Sequence, residues 1–213
     1  MNETLKKLFD AILEGDQRAA AAHVQAAIDA GIDPGEILKD GMVAAMSEVG
    51  RLYEAGEFYV PEMLIAARAM QASMVLLKPK LIQSNVKSAG KVVIGTVKGD
   101  LHDIGKNLVA LMLEGAGFEI VDLGSDVTPD KFVEAIRSEK RCLVALSALL
   151  TTTMPSMKII IDAIIAAGLR QNVKIMVGGA PVTETFAQQV GADGYASDAS
   201  KAVTLAHQLI KAA

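Results

Sequence analysis

This chain of 213 residues has a single cysteine, no tryptophan, three histidines and an aromatic content of 4%. A lone Cys142 excludes an internal disulfide and fits a reducing compartment. With 51% hydrophobic residues but few aromatics, the composition disfavours a β-sandwich and suits Ala-rich helices packed on buried parallel strands. Positive charge is not in excess: the net charge is -4 and the pI near 5.4, which gives no footprint for nucleic acid or an anionic membrane. No apolar segment follows the basic pair Lys6-Lys7, so no secretory signal is expected. The apolar runs around residues 142–150 and 159–167 are too short to cross a bilayer. The expectation is a cytoplasmic protein that touches neither nucleic acid nor membrane.

What is present falls into two patterns. From residue 4 to about 83 the apolar spacing is helical. Leu5, Leu8, Phe9 and Ile12 form a stripe that ends at Gly15, and Asp16 can cap a second helix running to Gly31. Asp33-Pro34 opens a third through Ile37, Leu38, Met42, Ala45, Met46 and Val49. After a turn at Ala55-Gly56, Pro61 starts a fourth, with Met63, Leu64, Ala67, Met70, Met74 and Leu77 on one face. Four amphipathic helices with short connections predict a small bundle over residues 1–86. Residues 84–90 are polar and read as a linker.

Beyond Gly90 strands and helices alternate. Apolar runs at 91–97, 118–123, 142–147 and 174–177, with a weaker one at 194–197, are separated by helical stretches. Pro129 and Pro155 sit near helix starts, and Gly115, Gly117, Gly168 and Gly191 near helix ends. Such alternation predicts an α/β domain over residues 91–213, a five-stranded parallel sheet of flavodoxin-like order 2-1-3-4-5. Ligands bind such sheets at the carboxyl ends of the strands, near the switch point between strands one and three. The polar loops fall there: Asp100 and His102 after strand one, Ser147 to Thr153 after strand three, Gly178-Gly179 after strand four, and Ser197-Asp198 after strand five.

His102 offers an imidazole nitrogen to a metal, and Asp100 can accept its other N–H. An Asp capping a helix beside a surface histidine is the plainer alternative, although Asp103 is better placed as the cap. Thr153 can cap the helix begun at Pro155, and Gly178-Gly179 suits either close approach of a ligand or a tight turn. Two other chemistries lose support. A phospho-receiver needs an aspartate where Ser147 stands, and a metallohydrolase needs more histidines than His23 and His207, which lie far from these loops.

Taken together, Asp100-Leu101-His102-Asp103-Ile104-Gly105, Ser147-Ala148-Leu149 and Gly178-Gly179 resemble the D-x-H-x-x-G, S-x-L and G-G motifs of cobalamin-binding methyl-carrier proteins. The same module occurs in methionine synthase. Leu52-Tyr53-Glu54-Ala55-Gly56-Glu57-Phe58-Tyr59-Val60-Pro61-Glu62-Met63 is similar to that family's cap signature, so the resemblance covers nearly the whole chain.

The resemblance implies a corrinoid whose own lower base has left cobalt and been replaced by His102. It further implies a triad running from His102 to Asp100 to Thr153, where serine is the usual last member. Ser147, Leu149, Gly178 and Gly179 would line the slot for the nucleotide tail, with Leu101, Asp103, Ile104, Gly105 and Thr151 as further cofactor contacts. Tyr53 and Val60 would cover the upper, methyl-bearing face, ordinary bundle packing being the alternative. Met42, Met46, Met63, Met70 and Met74 read as packing. The implied function is a methyl carrier, not catalytic alone. It would take the group from a substrate-specific methyltransferase to a second one acting on tetrahydrofolate or a thiol coenzyme, and be served by a corrinoid reductive activase. The alternative is a cobalamin-binding sensor or regulator. Such proteins add a DNA-binding module, whereas the residues before Lys91 hold nine Lys/Arg against twelve Asp/Glu.

Overall fold

The structure, a computed structural model, describes residues 2–84, 88–139 and 141–211. Residues 85–87 of the expected linker, with the expected boundary at 86, lie outside them. The chain divides into two compact units, Met1–Ser88 with Gly115–Gly117, and Ala89–Glu114 with Phe118–Ala213.

The first unit is helical. Helix α1 (Glu3–Leu13) buries Leu5, Leu8, Ala11 and Ile12, a spacing that gives one continuous stripe. Asp16 caps α2 (Gln17–Asp29) by accepting the N–H groups of Arg18 and Ala19 at 3.0 and 2.9 Å. The third helix begins with α3 (Pro34–Glu36), capped by Asp33, and ends with α4 (Ala44–Glu54). Between them Ile37–Val43 is a π-helical segment, a widening that apolar periodicity does not reveal. Helix α5 (Val60–Gln83) has Pro61 in its first turn, and Glu62 accepts the Tyr59 N–H at 2.9 Å. By length and a mean hydropathy of 1.3, α5 could cross a membrane, unlike the shorter runs weighed from sequence. Its buried Met63, Ala66, Ala67, Met70 and Leu77 instead recur as the core face of a bundle helix.

The second unit is a five-stranded parallel sheet in the order β2-β1-β3-β4-β5, as the alternation predicts. Its elements are β1 (Lys91–Thr96), α6 (Ile104–Gly115), β2 (Glu119–Asp122), α7 (Pro129–Arg137), β3 (Cys142–Ser147), α8 (Pro155–Ala166), β4 (Val173–Gly178), α9 (Glu184–Val190), β5 (Gly194–Ala196) and α10 (Ala199–Lys211). On one face Val93, Val144, Leu146, Ile175 and Val177 pack with Phe132 and Ile136 of α7 and Met157, Ile160, Ile161 and Ile164 of α8. Alternate residues along each strand face the opposite way. The register positions the site. Thr96 lies opposite Ser147, and Ser147 opposite Gly178, so β1, β3 and β4 end level with one another. Their three exit loops therefore share one edge of the sheet.

Candidate functional site

Asp100 organises that edge. Its side chain is wholly buried, yet both oxygens are satisfied. Oδ1 accepts the backbone N–H of His102 at 3.0 Å and lies 2.7 Å from the ring Nδ1 of the same residue. Oδ2 accepts the N–H of Leu149 at 2.8 Å and the hydroxyl of Thr153 at 2.7 Å. Burial alone would raise the pKa of this carboxyl. The donors from Thr153, His102 and Leu149 overcome that and hold it well below the usual carboxylate range. Asp100 is therefore an anion at neutral pH.

A carboxylate can only accept, so the hydrogen bond assigns the imidazole proton to Nδ1 and leaves the Nε2 lone pair available. The His102 side chain is half exposed. An imidazole oriented by a buried anion, with its other nitrogen accessible, is the arrangement metal-binding histidines use. Thr153 does not cap α8: its hydroxyl lies between Asp100 Oδ2 and Leu150 O, at 2.7 and 2.9 Å, and its one proton goes best to the charged, nearer acceptor. Asp103 holds the position before α6, where its carbonyl accepts the Asn107 N–H at 2.7 Å. The helix thus starts at Ile104.

The surroundings are apolar and uncovered. Leu101 and Ile104, flanking His102, are 74% and 83% exposed, and Leu149 and Leu150 are 43% and 41% exposed. Gly105 faces open space, with nothing within 4 Å of where a Cβ would stand. Ser147 ends β3 and Thr151 is exposed in the loop beyond it. Gly178 ends β4. Gly179, at φ +131°, is required by the fold itself, because a Cβ there would lie 1.9 Å from the Ala148 carbonyl oxygen. The structure thus brings Asp100, Leu101, His102, Asp103, Ile104, Gly105, Ser147, Leu149, Thr151, Thr153, Gly178 and Gly179 to one sheet edge. Tyr53 and Val60 belong to the helical unit, at the end of α4 and the start of α5, partly exposed and 39% exposed respectively.

Several residues at this edge escape sequence reasoning. Buried Thr96 donates its hydroxyl to the His102 carbonyl at 2.9 Å, and Ser156 donates to the Lys98 carbonyl at 3.0 Å. Buried Lys106 pairs with Asp122 at the end of β2. Asp126, in the loop after β2, accepts the Gly99 N–H at 2.8 Å and pairs with Lys98. The available signal was position alone, since the β2 exit loop lies at the same edge as the others. Among the described residues no group of three or more His, Cys, Asp and Glu side chains gathers to hold a metal.

Residues 90–204 match the family described as B12 binding domain, and residues 4–78 match a second family of the same description. The chain is 46% identical to trimethylamine corrinoid protein 1 of Methanosarcina acetivorans, over 95% of this chain and 94% of that one. It is 43% identical to dimethylamine corrinoid protein 1 of the same organism, over 98% of each. Among solved structures, the methanol:cobalamin methyltransferase complex from Methanosarcina barkeri aligns with a TM-score of 0.87 at 32% identity, covering 100% of this chain and 81% of that one. The edge described above fits a corrinoid: one oriented imidazole would suit a metal whose remaining protein-independent ligands a macrocycle supplies, and the exposed leucines and Ile104 suit the apolar surface of the ring. The chain belongs to the B12-binding corrinoid proteins of methyltransferase systems.

Proposed function

We propose that this corrinoid protein carries methyl groups between two methyltransferases, with His102 as the lower cobalt ligand. When bound, the corrinoid supplies the cobalt that holds the methyl group; the protein supplies the ligand, its orientation and the exclusion of water. The observation that carries the reading is the buried Asp100, which joins the ring of His102 to the hydroxyl of Thr153 through hydrogen bonds of 2.7 Å on either side. Asp100 fixes the tautomer of His102 and makes Nε2 a stronger donor, and Thr153 tempers the charge on Asp100. Leu101, Asp103, Ile104 and Gly105 contact the ring side of the ligand. Ser147, Leu149, Thr151, Gly178 and Gly179 line the slot for the nucleotide tail. In the same proposal residues 1–86 form a cap, and Tyr53 and Val60 shield the face opposite His102.

The donor-side partner is a substrate-specific methyltransferase. The identities of 46% and 43% to proteins named for tri- and dimethylamine favour a methylamine as the source of the group. The second partner methylates tetrahydrofolate or a thiol coenzyme, a reductive activase restores inactive cofactor, and the location is the cytoplasm. The test begins with the purified protein and hydroxocobalamin. Binding should be stoichiometric, and the Co(II) form should show nitrogen hyperfine coupling that changes when the protein's histidines are labelled with nitrogen-15. His102→Ala should abolish that coupling. Coupling from the cofactor's own base in the wild-type protein would remove His102 from this role. Tyr53→Ala and Val60→Ala should speed light-driven loss of the methyl group, and unchanged rates would remove those two residues from the shield.

A further inference from the structure

The loop that carries His102 is held from the neighbouring β2 exit by an aspartate in a strained conformation. Asp126 has φ +55°, the one described non-glycine residue with a positive φ. Side chains rarely adopt that region, although Asp and Asn tolerate it better than most. Opposite stands Gly99 at φ +88°. The two are joined in both directions. Gly99 N–H donates to Asp126 Oδ1 at 2.8 Å, and Asp126 N–H donates to the Asp100 carbonyl at 2.9 Å. Asp126 Oδ2 also receives Lys98 Nζ at 2.8 Å. Two further backbone bonds pin the segment to β1, from Thr96 N–H to the Gly124 carbonyl at 2.9 Å and from Val127 N–H to the Thr96 carbonyl at 3.0 Å.

The stretch from the Gly99 nitrogen to the Asp100 carbonyl is thus clasped by a single residue 26 positions further along the chain. The Asp100 carboxylate is held from the other side by Leu149 and Thr153. Backbone strain at a defined position persists where the surrounding contacts fix it, and it gathers at sites that must be preorganised. From this geometry we propose that Asp126 is a positioning residue for His102: it fixes the Asp100 backbone so that the carboxylate meets the imidazole before any ligand arrives. The proposal rests on His102 being the cobalt ligand. Lys98, Gly99 and Asp100 on the held loop bond Asp126 directly, Lys131 of α7 adds a second positive charge near it, and Ser156 of α8 holds the Lys98 carbonyl. The Lys98 pair is half exposed on both sides and adds little by itself.

Three variants separate geometry from charge. Asp126→Asn keeps tolerance of the left-handed backbone and an acceptor for Gly99. Asp126→Gly keeps the backbone and loses the acceptor, and Asp126→Ala loses both. In the cofactor-free protein, amide exchange at Gly99 should quicken at least tenfold in the Ala and Gly variants, and the nitrogen-15 spectrum of His102 should lose its preference for the Nδ1–H tautomer. In the corrinoid-loaded protein the fraction of Co(II) coupled to protein imidazole should fall by at least half. Asp126→Asn should stay within twofold of wild type in all three. Ala and Gly variants that match wild type in tautomer and coupling overturn the proposal, whatever their thermal stability. An Asn variant as impaired as Ala also overturns it, because charge at Lys98 would then be the cause. A wild-type spectrum lacking protein nitrogen sinks the ligand assignment instead, and the cofactor-free tautomer still decides whether Asp126 orders His102.

Discussion

The two units of this protein treat buried polarity in opposite ways. Among the described residues the helical unit buries one polar side chain, Ser73, whose hydroxyl donates to the Ala69 carbonyl of its own helix at 3.0 Å. The sheet unit buries Thr96, Asp100, Lys106, Thr153 and Ser200. Its bonds reach far: Asp100 is joined to Leu149 and Thr153, and Lys106 to Asp122. A local hydroxyl bond serves only the helix that makes it. A buried anion with donors from two loops specifies how those loops sit, and removing it leaves several groups unpaired. The candidate site and most of the buried polar side chains therefore lie in the sheet unit, and helical periodicity accounts for most of the other.

Asp100→Ala should break this contrast most severely. It leaves the Leu149 N–H without its acceptor, turns the Thr153 hydroxyl to the Leu150 carbonyl alone and releases the His102 ring. A cost of about 3 kcal/mol is expected from losing charge-assisted bonds of this kind. Urea denaturation of the cofactor-free protein measures it, and a loss under about 1 kcal/mol would mean that water replaces the carboxylate at little cost. Asp100→Asn, which keeps the shape, should instead raise the Co(II)/Co(I) potential of the loaded protein, because a weaker acceptor makes His102 a poorer donor. An unchanged potential would confine Asp100 to a structural role.

The amino end of the same sheet supplies a second buried group, one that keeps its proton. Burial, reinforced by the nearby Glu139 carboxylate and opposed by Lys91, pushes the Cys142 thiol from 9.0 up to about 11. The folded protein should thus react with a thiol reagent at pH 8 roughly a hundredfold more slowly than the unfolded chain, by thiolate content alone. Since the folded pKa is the higher one, this stabilisation is complete below about pH 9 and is lost as pH rises through about 11. Cys142→Ala should remove that fall from the stability profile, and a profile that keeps it would place its origin elsewhere.

At the carboxyl edge the comparison turns on exposed apolar surface. Ile104 is 83% exposed and contributes little to the fold. Ile104→Ser should leave stability within about 0.5 kcal/mol, as surface changes usually do. It should nonetheless weaken corrinoid binding roughly tenfold, the effect of removing about 1.5 kcal/mol of apolar burial. Titration of the two proteins with hydroxocobalamin reads this directly. Equal affinities would mean that the ring does not cover Ile104.

Much of this was legible in the chain, for identifiable reasons. Strand order followed from the alternation of apolar runs with helices, and Cys142–Ser147 matches its expected bounds because both ends are marked by a change of polarity. Asp16, Asp33, Pro129 and Pro155 act locally, so their positions at helix starts could be read directly. The meeting of Asp100 with Thr153 spans 53 positions and was reached only through the resemblance. Asp126 lies outside the recognised motifs, and its role depends on a backbone angle that composition does not encode. The π-helical turns at Ile37–Val43 keep the apolar spacing of an ordinary helix, so periodicity could not distinguish them. Glycine at 179 could be read as space for a ligand, whereas the nearest demand on it is the Ala148 carbonyl.

The smallest effect belongs to Ser73, and it tests the contrast from the helical side. Its hydroxyl is wholly buried in α5, so burial alone would predict a costly substitution. Its partner is a carbonyl one turn back that the helical ladder already serves, however, and such back-bonding adds little to a helix. Ser73→Ala deletes one weak bond, strands no donor and places the best helix former in the middle of a long helix. These gains and losses nearly cancel, and the change in stability should stay within about 0.5 kcal/mol of zero. Denaturation of Ser73→Ala beside Asp100→Ala, under the same conditions, gives the comparison directly. If Ser73→Ala costs as much as Asp100→Ala, burial itself and not the reach of the hydrogen bonds decides what a polar group is worth here, and the contrast between the two units fails.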